Sequence, residues 1–283
     1  MKRTLTLLAS MAVALAACSP QPEPAQEAAA PAVASTATTA PATPLPPSIT
    51  PEPTPVPDTP AAEPSATLRL DPRVGFGETT DVAFSTEDDL TLAGTMYGEG
   101  TTAVILAHMR PTDRQSWAPF AETLAAQGYA VLTFDFRGYG DSEGSKDLAV
   151  MDRDVRAAVN YLHSKHAAGH IILIGASMGG TFLTGALGDE TVVAAVIISS
   201  PTGLDGFEVD PASLAREDQP KLFIAAQDDQ PYADMVAAMY AQSAGAAELV
   251  LLDGNGHGTF MFDLPQGPEL EALLLDFVAT NAG

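Results

Sequence analysis

The residues that could do chemistry begin with Ser177, in the run Gly-Ala-Ser-Met-Gly at 175–179, directly after the apolar stretch Ile171-Ile172-Leu173-Ile174. A buried strand that ends in G-x-S-x-G and leads into a helix makes a sharp turn, which lifts the serine oxygen above the carboxyl edge of a sheet. Gly175 and Gly179 suit that turn, because a β-carbon at either position would strike the neighbouring strand or helix. The chemistry this implies is acyl transfer through a serine nucleophile. A serine hydroxyl is weak at neutral pH, so it needs a base beside it and an acid that orients the base. The bland alternative is an ordinary strand-to-helix turn. A dinucleotide site does not fit: it wants G-x-G-x-x-G, whereas Ser177 stands in the place of the second glycine and the glycine-rich stretch 138–144 has the wrong spacing.

Positioning such a serine takes a sheet, and the sequence supplies alternating strand and helix signals from about residue 80 onward. The stretches 82–85 and 90–96 read as a hairpin around Glu87-Asp88-Asp89. A buried strand at 103–107 precedes a helix at 117–127, stopped by Gly128. The strand 129–134 runs into a long turn at 135–144, followed by an amphipathic helix at 152–166 with Val155, Val159 and Leu162 on one face. Beyond Ser177, strands are expected at 192–198, 221–226 and 248–252, with helices at 232–244 and 269–280. The fold class is therefore α/β, a mostly parallel central sheet with helices on both faces.

The first 66 residues are of a different kind. Met1-Lys2-Arg3 and the uncharged, apolar stretch 4–17 form a basic start and a short hydrophobic segment, too short to span a bilayer comfortably. The closing Leu15-Ala16-Ala17-Cys18 resembles a bacterial lipoprotein signal, which implies a signal peptide at 1–17, cleavage before Cys18 and lipidation of its sulfur. Cys18 is the only cysteine, so no internal disulfide competes for it. Ser19 in the next position points to the outer membrane, on its periplasmic side, in a bacterium with two membranes. The stretch 18–66, rich in proline, alanine and threonine, has too few large apolar residues to offset ordering entropy and reads as a solvated tether. That leaves 67–283 as one domain with a sizeable core. Losing Lys2 and Arg3 with the signal takes the formal charge from −23 to −25, which excludes nucleic acid and anionic headgroups as partners by charge alone.

Taken together, G-x-S-x-G at 175–179, D-x-R-G-x-G-x-S-x-G at 135–144 and Gly-His at 256–257 resemble the landmarks of the α/β-hydrolase superfamily, in its order and over residues 80–283. The resemblance implies an α/β-hydrolase fold and the chain order serine, acid, histidine. His257, in a glycine-rich loop after the last strand, is the expected base; His108 precedes the serine, and His163, His166 and His170 lie on or beside a helix. The acid follows the strand 221–226, where the family register selects Asp229, with Asp228 as the runner-up. The oxyanion would be held by the backbone N–H groups of Met178 and Arg110, the second from the loop after 103–107. Met109 replaces the family's usual glycine there and is expected to narrow the acyl side of the pocket. The short acidic segment 201–220 leaves room for little or no cap domain, one helical turn at 211–216. Phe260, Met261 and Phe262 either line the pocket or fill the core.

The implied activity is hydrolysis of carboxylic esters, with thioesters, small amides or acyl transfer as alternatives on the same triad, and a non-catalytic binding role as the alternative of another class. The implied partner is a small acyl substrate, the chain acting as a monomer held to the membrane by its lipid. No cofactor and no metal is implied.

Overall fold

The protein is described by a computed structural model covering residues 79–283 apart from 167. The Cys18 anchor and the 18–66 tether lie outside the described residues. Among the described residues, ten strands and six α-helices follow in chain order. Eight of the strands form one sheet: β1 (Thr80–Ser85), β2 (Thr91–Tyr97), β3 (Thr102–Ala107), β4 (Ala130–Phe134), β5 (His170–Ala176), β6 (Val192–Ile198), β9 (Lys221–Ala226) and β10 (Ala247–Leu252). Their spatial order is β1-β2-β4-β3-β5-β6-β9-β10. Only β1 and β2 run antiparallel to their neighbours; every pairing from β4 to β10 is parallel.

The central strands are buried on both sides, which is why they read as continuous apolar runs rather than alternating ones. Side-chain alternation divides each run between two cores. Ala103, Ile105 and Ala107 of β3, with Ile171 and Leu173 of β5, pack toward α2 (Asp152–His166), α3 (Met178–Leu183) and α5 (Tyr232–Tyr240). Val104 and Leu106, with Ile172 and Ile174, pack on the opposite face toward α1 (Ala118–Ala126) and α6 (Gly267–Asn281). Each valine, leucine and isoleucine among these is worth about 1.5–3 kcal/mol when fully buried, so the double-sided sheet is the main source of cohesion. Val155, Val159 and Leu162 of α2 are all buried, as their spacing predicts.

Between β6 and β9 the chain makes only a small flap. It holds a two-stranded hairpin, β7 (Gly203–Leu204) with β8 (Phe207–Glu208), and one helical turn, α4 (Pro211–Leu214), capped by the Asp210 side chain. The turn was expected from sequence and the hairpin was not, because two-residue strands leave no periodicity to read. The segment is fastened where it returns to the sheet: Lys221 is fully buried, and its ammonium donates to the carbonyls of Arg216 at 2.6 Å and Gln219 at 2.8 Å. Helix α5 stops at Tyr240, four residues short of the expected end, since Ser243 N donates to Tyr240 O and Gly245 takes a positive φ of 74°.

Candidate active site

The site is built on the carboxyl edge of β5, β6 and β9. Ser177 follows β5 immediately and precedes α3, with φ 49° and ψ −113°. That region is costly for any residue but glycine, on the order of 1–3 kcal/mol, and it is held by its surroundings. Ser177 N donates to Ile198 O at 2.7 Å, and Thr181 N returns to Ser177 O at 3.0 Å. The two flanking glycines have the function read from sequence. A β-carbon on Gly175 would strike the backbone of Gly179, and one on Gly179 would strike the carbonyl of Ala107 at the end of β3.

Asp229 lies three residues beyond β9, and His257 lies in the loop after β10. The structure brings these two together: His257 Nδ1 stands 2.9 Å from Asp229 Oδ2 and 3.2 Å from Oδ1. Nδ1–H thus donates to the carboxylate, which leaves Nε2 as the free lone pair that a general base needs. Asp229 is 10% exposed and His257 25%, enough access for a substrate. Asp228, the runner-up, is exposed, and its backbone N–H donates to Gly254 O at 3.0 Å. The histidine loop is shaped by Gly254, Gly256 and Gly258, all at positive φ, and by the Gln266 amide donating to Asn255 O. Ser177 is half-buried, and its hydroxyl makes no hydrogen bond among the described residues. In unliganded hydrolases the serine-to-histidine bond commonly tightens only when substrate binds.

Met178 begins α3, so its N–H points out of the helix without an i−4 carbonyl to meet. Arg110 is exposed in the loop after β3. Met109 does not narrow an open pocket: it is fully buried, with its sulfur packed against Gly258 beneath the histidine loop. The reason is volume, since the glycine opposite leaves the space that the thioether fills. Met261 is also core, and Phe262 packs on Trp117 and Phe120, with ring centroids 5.8 and 5.6 Å apart. Phe260 alone of that trio is exposed, at 49%.

Three more residues stand around the site, and of these Tyr232 had no signal in the sequence. Tyr232, the first residue of α5, sets its ring 4.3 Å from the His257 imidazole at 52°. His108 is fully buried and bonded at both nitrogens: Nε2 accepts from Phe136 N at 3.1 Å, so Nδ1 carries the proton and donates to Met109 O at 2.9 Å. Burial pushes its pKa down, keeping the ring neutral. Asp135, which opens the D-x-R-G turn, bonds within that turn through Asp141 N at 3.0 Å and also accepts from Arg114 N at 2.8 Å and from the Arg114 guanidinium. His108 and Asp135 thus clamp the loop 108–114 to the turn after β4. Among the described residues no group of three or more histidine, cysteine, aspartate or glutamate side chains is gathered as a metal site requires.

Comparison with known proteins agrees with this architecture. The model of the family described as "alpha/beta hydrolase fold" matches residues 102–217. A solved esterase from Pyrococcus furiosus superposes with a TM-score of 0.64 at 23% identity, over 73% of this chain and 94% of that one. An alpha-beta serine hydrolase homologue from Coxiella burnetii gives 0.58 at 22%, over 70% and 97%. The chain has the α/β-hydrolase fold. Among curated relatives, the quorum-quenching protein AidA of Acinetobacter baumannii is 35% identical over 114 residues, 38% of this chain and 37% of the relative. An uncharacterized protein of Mycobacterium tuberculosis is 31% identical over 127 residues, 43% and 45%. The chain therefore spans less than half the length of these curated relatives in the matched region.

Proposed function

We propose that this chain is a serine hydrolase that cleaves carboxylic esters through an acyl-enzyme. The observation that carries the reading is the 2.9 Å contact from His257 Nδ1 to Asp229, on loops at the same sheet edge as the strained turn of Ser177. Ser177 Oγ attacks the ester carbonyl while His257 Nε2 takes its proton. Asp229 holds the imidazole and stabilises the imidazolium that forms. The carbonyl oxygen, now negative, is held by the N–H groups of Met178 and Arg110; each such donor is worth about 10²–10³-fold in rate. Collapse of the tetrahedral adduct breaks the bond to the alcohol oxygen, which leaves with the proton from Nε2. Water then attacks the acyl-serine, giving its proton to the same nitrogen, and the acid is released.

The test is labelling of the full chain with a fluorophosphonate, alongside Ser177→Ala and a panel of p-nitrophenyl esters. Labelling that depends on Ser177, with ester turnover, is expected. A folded chain that neither labels nor turns over an ester would overturn the reading and leave the binding role. The activity is further proposed to be held at the bacterial envelope by lipid on Cys18. Metabolic labelling with an alkynyl fatty acid should mark the chain and be lost in Cys18→Ser, which should also leave the membrane fraction; an unlabelled, membrane-free wild type would sink the anchor.

A further inference from the structure

We infer that Tyr232 and Phe260 form a subsite for the leaving group, so that the esters this site takes best carry an aromatic or similarly flat, uncharged alcohol. The inference rests on the serine-hydrolase reading above and adds a substrate class to it. The histidine must protonate the departing alkoxide, so the alcohol oxygen has to come within about 3 Å of His257 Nε2. Whatever that oxygen carries then projects past the imidazole, and the half-buried Tyr232 ring packs against that same imidazole, 4.3 Å from it centroid to centroid.

Phe260 supplies a second surface. It is tied to the same loop, its N–H donating to His257 O at 3.1 Å, and its side chain is 49% exposed. The other aromatics of this loop's surroundings are engaged with each other: Trp117, Phe120 and Phe262 pack tilted or edge-on, with centroids 5.6–6.1 Å apart. Phe260 makes no ring contact among the described residues. Two aromatic side chains, one against the proton donor and one three residues beyond it in the chain, offer a planar group stacking contacts above simple burial.

Charge selects against an anionic alcohol. Asp228 and Asp253 are exposed on the same two loops that carry Asp229 and His257, whereas the exposed Arg110 belongs to the loop after β3, on the oxyanion side. A carboxylated or phosphorylated leaving group would meet like charge at the rim.

The experiment compares benzyl acetate with ethyl acetate on the full chain. The two share an acyl group and their alcohols are of similar acidity, so chemistry alone favours neither strongly. Wild type should prefer the benzyl ester by about tenfold in kcat/KM, chiefly through KM; tenfold corresponds to about 1.4 kcal/mol. Tyr232→Ala should erase most of that ratio and Tyr232→Phe keep it. Phe260→Ala, at an exposed position where truncation leaves no cavity, should lower it about threefold. A ratio unchanged in both alanine variants, or a Tyr232→Ala loss equal for the two esters, would overturn the subsite, the second outcome meaning that the ring only props His257. A wild type labelled by fluorophosphonate but indifferent to the alcohol overturns the subsite alone. A wild type neither labelled nor active overturns the hydrolase reading and the subsite with it.

Discussion

Ser177 carries two burdens that substitution can separate, a hydroxyl proposed as the nucleophile and a backbone at φ 49° that no β-carbon favours. Ser177→Ala removes the first and keeps the second, whereas Ser177→Gly removes both. Both variants should lose ester turnover by at least about 10³-fold, but the glycine variant should be the more stable by about 1 kcal/mol, the strain relieved less the entropy glycine adds to the unfolded chain. Urea unfolding of the pair checks it; an alanine variant as stable as the glycine one would mean the turn is not strained. The two adjacent carboxylates divide equally cleanly. Asp229→Asn should cost about 10³–10⁴ in kcat, because an amide fixes the wrong imidazole tautomer. Asp228→Asn, at an exposed carboxylate bonded to nothing that reacts, should stay within about threefold. The Ser177 turn and the Asp229–His257 pair of the candidate site were legible, because each of the three residues follows a strand signal. Tyr232 was not, since nothing in Asp-Gln-Pro-Tyr says that the ring will fold back upon a histidine 25 residues later. Contacts across loops are set by backbone turns that side-chain periodicity does not encode.

At the scale of elements, buried polar clamps hold the loops that the sheet leaves free. Arg137, 3% exposed, is bonded by Asp154, itself fully buried, at 2.6–2.8 Å, and by Asp88 at 2.8 and 3.1 Å, tying the turn after β4 to α2 and to the β1–β2 hairpin. Asp154→Ala strands most of a buried cation and should cost about 3–5 kcal/mol. Asp141→Ala, whose carboxylate is 75% exposed, should cost under about 0.5 kcal/mol, as exposed pairs do. The same clamps set the response to acid. His108 has a folded-state pKa pushed below its unfolded value by burial, so the unfolded chain binds more protons and stability falls as the pH drops below about 6.5. Asp88 is held low by the Arg137 hydrogen bond, so its contribution is present above about pH 4 and is lost as the pH falls further. Urea midpoints between pH 7.5 and 3 should therefore decline in two stages, and His108→Gln should flatten the first; a flat profile from 7.5 to 5 would contradict a buried neutral His108. The strands and long helices of this framework were readable because their apolar periods are long. The clamps were readable only in part: the D-x-R-G string announced a turn, but Arg114 and Asp154 carry no signature apart from the burial that makes them matter.

For the molecule as a whole, a formal charge of −23 over 283 residues means that like charges outnumber the clamps. Raising NaCl from about 10 mM to about 0.3 M, which shortens the screening length from about 30 Å to under 10 Å, should raise the urea midpoint, since self-repulsion is relieved more than the buried pairs are weakened. A midpoint that falls with salt would show the ion pairs to dominate. The layered architecture was legible at this scale because strands buried on both faces write their burial into continuous aliphatic runs. The flap between β6 and β9 was legible mainly by what it lacks, large apolar residues, and that feature has a consequence for how the protein can change. β6 and β9 already pair with each other at Ala195–Lys221 through Ile198–Ile224, and the connection adds to that ladder at its two ends, where Ser199 N donates to Ile224 O and Pro220 O accepts from Ala195 N. The buried Lys221 ammonium fastens the return to the sheet wherever the flap has travelled. Doubling the length of such a connection costs only about 0.6 kcal/mol of closure entropy. The connection is thus a place where a lid can be gained or lost, and with it, on the hydrolase reading, a different range of substrates, while Ser177, His257 and the strands that carry them stay as they are.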